Sequence, residues 1–206
     1  MDVSTLALAL GSSLTAGLNL YLTVLVLGLL LRFEILSLPQ NLEVLAHPWM
    51  LTAAGILFAV EFLADKIPYV DNTWDAVHSF IRIPAGAILA GAALGDMPTH
   101  LVWTAALVGG FISFTAHGAK ASTRLAVNST PEPFSNWFLS FAEDGLSLGV
   151  LWLVSEYPLL ALGVCLILVV LFTGLMYVFF KFFRMLYRSF RPSGRRETAR
   201  NYEIAT

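Results

Sequence analysis

The sequence predicts an all-α membrane protein, a polytopic bundle of about six helices in one domain. Three observations carry that prediction. Hydrophobic residues make up 57% of the 206 and charged residues 13%, about half the charged share of an ordinary soluble domain. The apolar residues gather in blocks long enough to cross a hydrocarbon core of about 30 Å. Turn-forming Pro, Gly, Asn and Asp residues separate the blocks. The bundle is assigned to residues 1–191, and 192–206 to a disordered basic cytoplasmic tail.

The first apolar segment, 5–31, has a polar middle, GSSLTAGLNLYLT. Ser12, Thr15, Asn19 and Thr23 recur at steps of three and four, so on one helix they share a face. Asn19 then falls near the midplane. Such residues serve either interhelical hydrogen bonding, with close packing at Gly11 and Gly17, or the lining of a site. The segment has neither a basic leader nor a small-residue cleavage site, so no signal peptide is expected.

Pro39 lies in a connection over 36–47, and Pro48 suits the first position of a second helix, 48–66. Glu61 lies more than a turn inside its end, with Asp65 one turn on and Lys66 beside it. Pro68 ends the helix in a tight turn. Asn72 and Asp75 have capping-box spacing at the start of a third helix, 73–95. Asp71, Asp75, His78 and Arg82 advance by four, three and four along it and form one stripe. Pro84 removes a backbone hydrogen bond, so the third helix is expected to kink or be re-entrant there. Gly86, Ala87, Ala90, Gly91 and Gly95 follow, spaced for close helix contact.

A fourth helix, 100–126, carries Ala105, Ala106, Gly109 and Gly110, then ends in HGAKASTRLAVN. His117, Lys120 and Arg124 share a face there. Pro131 and Pro133 mark a loop over 129–135, and the sequon Asn128-Ser129-Thr130 is discounted as a chance triplet on the cytosolic side. The fifth helix, 136–155, has a polar stripe of Asn136, Ser140, Glu143 or Asp144, and Ser147. The two acids lie too deep for the helix dipole to explain. The sixth helix, 159–180, is lipid-facing, with Cys165 as packing. It runs into KFFRMLYRSFR, where Lys181, Arg184, Arg188 and Arg191 share a face. That face suits anionic lipid headgroups, or serves topology alone. Pro68 precedes Trp74 by six, as Pro131 precedes Trp137, a hint of a duplicated helix hairpin.

The basic C-terminus predicts a cytoplasmic end in the cell (inner) membrane. Six spans bring the N-terminus to the same side, and Lys66, Lys120 and Arg124 agree with that orientation. The unusual charges then share one depth, in the cytoplasmic half. A charge at a helix centre costs roughly 2.5–3.5 kcal/mol on insertion scales, so these groups need partners, water or a task. The candidate cluster is Asn19, Glu61, Asp65, Lys66, Asp71, Asp75, His78, Arg82, His117, Lys120, Arg124, Glu143 and Asp144.

The words EFLADKIP, WDAVHSFIRIPAGA, AKASTRLAVN and the SFAEDG block resemble a family of multi-pass membrane proteins known only as a domain of unknown function, in bacteria and plastid-bearing plants. The resemblance covers about 10–160, with EFxxDKxP, WDxxHxxxRxPxGA and ED as its signatures. It implies a membrane protein whose charged residues are the family's hallmark, and it implies no substrate. The run from Glu61 to Lys66 is also similar to the acidic signatures of cation/proton exchangers, without the glycine that precedes the aspartate in them.

Three functions fit. A transporter of a small ion or charged solute would load its coupling ion on Glu61 and Asp65. It would relay protons through His78 and His117 and hold counter-charges on Lys120 and Arg124. An enzyme acting on a lipid phosphate would hold Mg²⁺ on Asp71 and Asp75, with Arg82, Lys120 and Arg124 on a diphosphate. The fuller aspartate arrays, nucleophile motifs and Gly-rich phosphate loops of such enzymes are missing, so a non-enzymatic role ranks first and no cofactor is expected outside that alternative. A scaffold or assembly protein would use the charges to fix helix register. Asp75 and His78 share a face, but two ligands make no zinc site. The expected surroundings are lipid, with no nucleic acid and a homo-oligomer left open. A solvent-reachable pocket among the charges favours the first two functions; a closed lattice of ion pairs favours the third.

Overall fold

A computed structural model describes residues 2–67, 70–128 and 133–190, and all regular structure among them is helical. The helices are α1 (Val3–Leu18), α2 (Leu20–Arg32), α3 (Pro48–Ala64), α4 (Val70–Ala93), α5 (Thr99–Val127), α6 (Pro133–Glu156) and α7 (Pro158–Phe190). A short 3-10 helix, Gln40–Ala46, precedes α3. Helices α4, α5, α6 and α7 are each long and apolar enough to cross a membrane. The 3-10 helix and α3, bent by 65°, form a fifth candidate span. The all-α membrane bundle is as expected, but eight helices replace about six among the described residues.

The main change is in the first segment, which is two helices rather than one. Asn19 leaves helical geometry at φ −146° and ψ 97°. Its N–H closes α1 on Thr15 O at 2.8 Å, and its side-chain oxygen accepts from Leu22 N–H at 3.0 Å to open α2. Asparagine is among the best N-caps, so one residue ends one helix and starts the next. Both outer ends of the pair lie together. Asp2, Thr5 and Leu8 share a cavity of about 300 Å³ with Leu36, Pro39, Ala93 and Val154. Helix α1 therefore runs in to Asn19, and α2 returns to the end from which α1 came. Two short helices replace the expected first span, with Asn19 at their tip.

This hairpin also sets the start of α1 apart from the end of α7. Met176 of α7 packs at Gly118, near the depth of Asn19, and α7 continues away from the end where Asp2 lies. The expectation that both termini share one side rested on six crossings; the described residues offer four candidate spans, or five with the bent pair. Helix α4 runs on through Pro84, so the expected interruption there is not a break. Proline removes only the bond to the Phe80 carbonyl, and hydroxyls of neighbouring helices tie α4 down on either side of it. Ser113 donates to Arg82 O at 2.8 Å and Ser13 to Gly86 O at 2.9 Å.

Helix α1 is the axis, packed against α4, α5, α6 and α7. Its small residues make that possible. A methyl added at Gly17 would lie 2.5 Å from Ser113 O, and one at Gly109 would collide with Ala90 and Ser13. Buried Leu14 and Leu18 of α1, Ile112 and Ala116 of α5 and Val150, Leu151 and Val154 of α6 complete the apolar core. Cys165 is buried there, as packing. Large apolar side chains such as Phe80, Trp103, Leu107, Phe138 and Val170 are exposed. On a water-soluble protein such a surface would be a liability; here it is the face presented to lipid.

Pro133, expected in a loop, is the first residue of α6, where its missing N–H costs nothing. The turn at Pro68, the loop through Pro131 with most of the sequon, Arg191 and the tail 192–206 lie outside the described residues.

Candidate functional site

Five helices bring their polar side chains to one end of the bundle. Helix α3 supplies Glu61 and, at its C-cap, Asp65. Helix α4 supplies the stripe Asp71, Asp75, His78 and Arg82, α5 supplies His117, Lys120 and Arg124, and α6 supplies Glu143 and Asp144. The hairpin tip supplies Asn19. All are buried except Lys66 and Glu143, which are half-buried.

At the centre, three cations sit among five carboxylates. Arg82 pairs with Glu61 through a short contact and with Asp75 at 2.9 Å. Lys120 Nζ lies 3.1 Å from Asp65, 3.5 Å from Glu61 and from Glu143, and 3.9 Å from Asp75. Arg124 lies 2.6 Å from Glu143, 3.4 Å from Asp65 and 3.5 Å from Asp71. Between the adjacent acids of α6, Glu143 joins the lattice. Asp144 stands beside it and accepts from Asn19 Nδ2 at 2.9 Å. Lys66 lies at the edge, donating to Phe62 O at 2.9 Å with its ammonium 3.0 Å from the Phe62 ring centroid. The structure thus brings the predicted cluster together, with Lys66 at its rim.

Helix ends help to hold the cations. The carbonyl of Asp65, at the C-terminus of α3, accepts from Arg124 and from Asn136 Nδ2, each at 2.9 Å. The carbonyl of Leu18, at the C-terminus of α1, accepts from Lys120 at 3.2 Å. A helix C-terminus carries partial negative charge and favours a cation. Two basic residues of α5, one turn apart, therefore each meet the end of a different helix.

The histidines have separate partners. Arginine only donates, so His117 Nδ1, 3.1 Å from Arg82, is the acceptor. Its proton is then on Nε2, 2.7 Å from Ser79 Oγ, and His117 is neutral. His78 Nδ1 faces the carbonyl of Trp74 at 2.8 Å and must donate to it. Its Nε2 meets Tyr21 OH at 2.9 Å, and Trp74 stacks on the ring with centroids 4.2 Å apart. Sequence reasoning missed Tyr21 and Ser79 as partners. It also missed Asn128, which donates to Asp71 at 3.0 Å. Asn128 belongs to the polar end of α5, and Tyr21 is two residues from Asn19, so proximity was the available signal.

The lattice is closed but not balanced. It holds two more carboxylates than cations. Glu61 Oε2, Asp65 Oδ1, Asp71 Oδ1 and Asp75 Oδ2 are buried without a hydrogen-bond donor. Asp71 and Asp75, the candidate metal ligands, face Arg124, and Arg82 with Lys120, respectively. Among the described residues no three His, Cys, Asp or Glu side chains are arranged to hold a metal ion.

No curated protein and no solved structure matches the chain. Residues 6–177 match the family described as Domain of unknown function (DUF4126), and the chain belongs to that family.

Proposed function

We propose that this member of the family is a transporter of a small ion or charged solute, held here with its charged lattice occluded. The observation that carries this reading is the surplus of buried acids, five carboxyl groups around three cations. A lattice serving only to fix helix register gains nothing from surplus buried acids, each costly in an apolar interior. A lattice that exchanges a proton, ion or charged solute needs a vacancy for added positive charge. The hairpin of α1 and α2 adds support, since broken helices whose ends face a buried site recur in transporters.

In this reading Glu61 and Asp65 accept the coupling charge, while Arg82, Lys120 and Arg124 hold the acids together between loads. Exposed Lys181, Arg184 and Arg188 at the far end of α7 favour a charged end in the cytoplasmic half of the cell membrane, against anionic headgroups. The N-terminal end of α1 then faces the other side. The test is flux into proteoliposomes under an imposed pH gradient, across a broad panel of ions. Flux lost in Glu61→Gln is the expected result. No gradient-coupled flux for any ion overturns the reading.

A second reading is a scaffold or assembly protein, the function that a closed lattice of ion pairs favours, and the lattice is closed. It expects Asp75→Asn to lower stability and change nothing else. The Mg²⁺-dependent enzyme has less support, because Asp71 and Asp75 are both occupied by the chain's own cations.

A further inference from the structure

Lys120 is caged rather than paired. Its ammonium meets Asp65 Oδ2 at 3.1 Å, Leu18 O at 3.2 Å, Glu61 Oε1 and Glu143 Oε2 at 3.5 Å, and Asp75 Oδ1 at 3.9 Å. These oxygens come from α1, α3, α4 and α6, so the fold builds the cage and no local motif does. The two shortest contacts suit N–H···O bonds. All of them exceed the roughly 2.0–2.6 Å of Mg²⁺ or Ca²⁺ to oxygen. An ammonium has three donors, fewer than the acceptors that surround it. Glu61, Asp65 and Asp75, at most 2% exposed, each turn one oxygen to Lys120 and keep the other, outside the cage contacts, without a donor.

A half-open cavity of about 160 Å³ adjoins the cage. Leu18, Lys120 and Glu143 belong to both, and Leu139, Leu146, Phe172 and Leu175 give the cavity an apolar wall. At about 30 Å³ per water-sized unit, it has room for about five heavy atoms.

We infer that the cage binds the ammonium group of a small primary amine, with Lys120 as its built-in occupant and the adjoining cavity as the seat of the alkyl portion. The inference rests on the transport reading for its role, since the amine is then the charged solute. Lys120 can lean toward Glu143, already within 3.5 Å, and leave Asp65, Glu61 and the Leu18 carbonyl to the incoming ammonium. The surplus carboxylates accommodate both positive charges.

The test is the thermal stability of the full chain in maltoside micelles, titrated with n-butylammonium, Na⁺, K⁺ or tetramethylammonium at equal ionic strength. The expected result is a saturable rise in Tm with n-butylammonium alone. The rise should be larger in Lys120→Ala, whose cage is vacant, and lost in Leu146→Trp, which fills the cavity. An equal rise with Na⁺ or K⁺ overturns the amine in favour of an alkali-cation site. No saturable rise in wild type or Lys120→Ala overturns the site. If Lys120→Ala does not fold, calorimetric titration of wild type against Leu146→Trp decides alone. Gradient-coupled ion flux without amine binding sinks the amine and leaves the transporter. Amine binding without any flux leaves the cage and sinks transport.

Discussion

The two halves of the α4–α5 pair are joined by opposite means. Beyond Ile83, Gly86 and Ala90 meet Ser113 and Gly109 so closely that an added methyl would collide. Before Ile83, the same helices are bridged by long side chains: Asp75 and Arg82 from α4, His117 and Lys120 from α5. Where side chains are small, backbones approach and dispersion holds them. Where side chains are long, charged ends fill the gap and must find partners there. The first kind of joint is rigid, because no atom can move without opening a void. The second can change partners, because Lys120 has several carboxylates within 4 Å. A working site belongs in the second half, and the first serves as its fixed frame.

Breaking the charged half should cost most. Arg82→Met takes from Glu61 and Asp75 their nearest cation and leaves them only Lys120, at 3.5 and 3.9 Å, and losing one partner of a buried pair costs about 3–5 kcal/mol. The expected outcome is a collapsed melting transition in detergent, partly restored when Glu61→Gln is added. A variant as stable as wild type would mean that pairing does not hold this half together. The glycine half should fail next. Gly86→Val drives a side chain into Ser113, an overpacking cost of about 1–3 kcal/mol. Gly55→Ala, with nothing within 4 Å of the added carbon, is the control and should melt no lower than wild type. A loss in Gly55→Ala as large as in Gly86→Val would show that close approach does not set the effect.

Asn19→Ala probes the hairpin tip that reaches the charged half. It removes the α2 cap, worth about 1 kcal/mol, and takes a donor from Asp144. A modest fall in Tm is expected, with Asn19→Asp restoring less than Asn19→Ser because it adds a second carboxylate beside Asp144. The smallest effect belongs to Lys66→Met, at the rim over Phe62. Cation–π contacts at exposed sites contribute about 0.5–1 kcal/mol, so its Tm should stay close to wild type. A large loss there would move Lys66 from the rim into the lattice.

The stripe Asp71, Asp75, His78 and Arg82 was legible because helical spacing aligns it and because charges in an apolar chain must cluster. Which charges pair was not legible. Glu143 and Asp144 are adjacent in sequence but about 100° apart around α6, so helix orientation alone sends one to Arg124 and the other to Asn19. The hairpin was hidden for a related reason. Polar residues keep their helical steps across Asn19, so a helix that passes through and one that turns back give the same pattern. Pro84 does not end α4, since a proline forfeits only the one bond to the Phe80 carbonyl.

By itself, then, the sequence determined an apolar helical bundle with the ionisable groups of its membrane-depth stripes gathered together, because burial cost and helical period act along the chain. Only the tertiary structure decided that the first segment folds back on itself, that α1 is the axis and that five carboxylates share three cations. Those outcomes depend on which surfaces meet, and small residues permit many meetings until the whole bundle selects one.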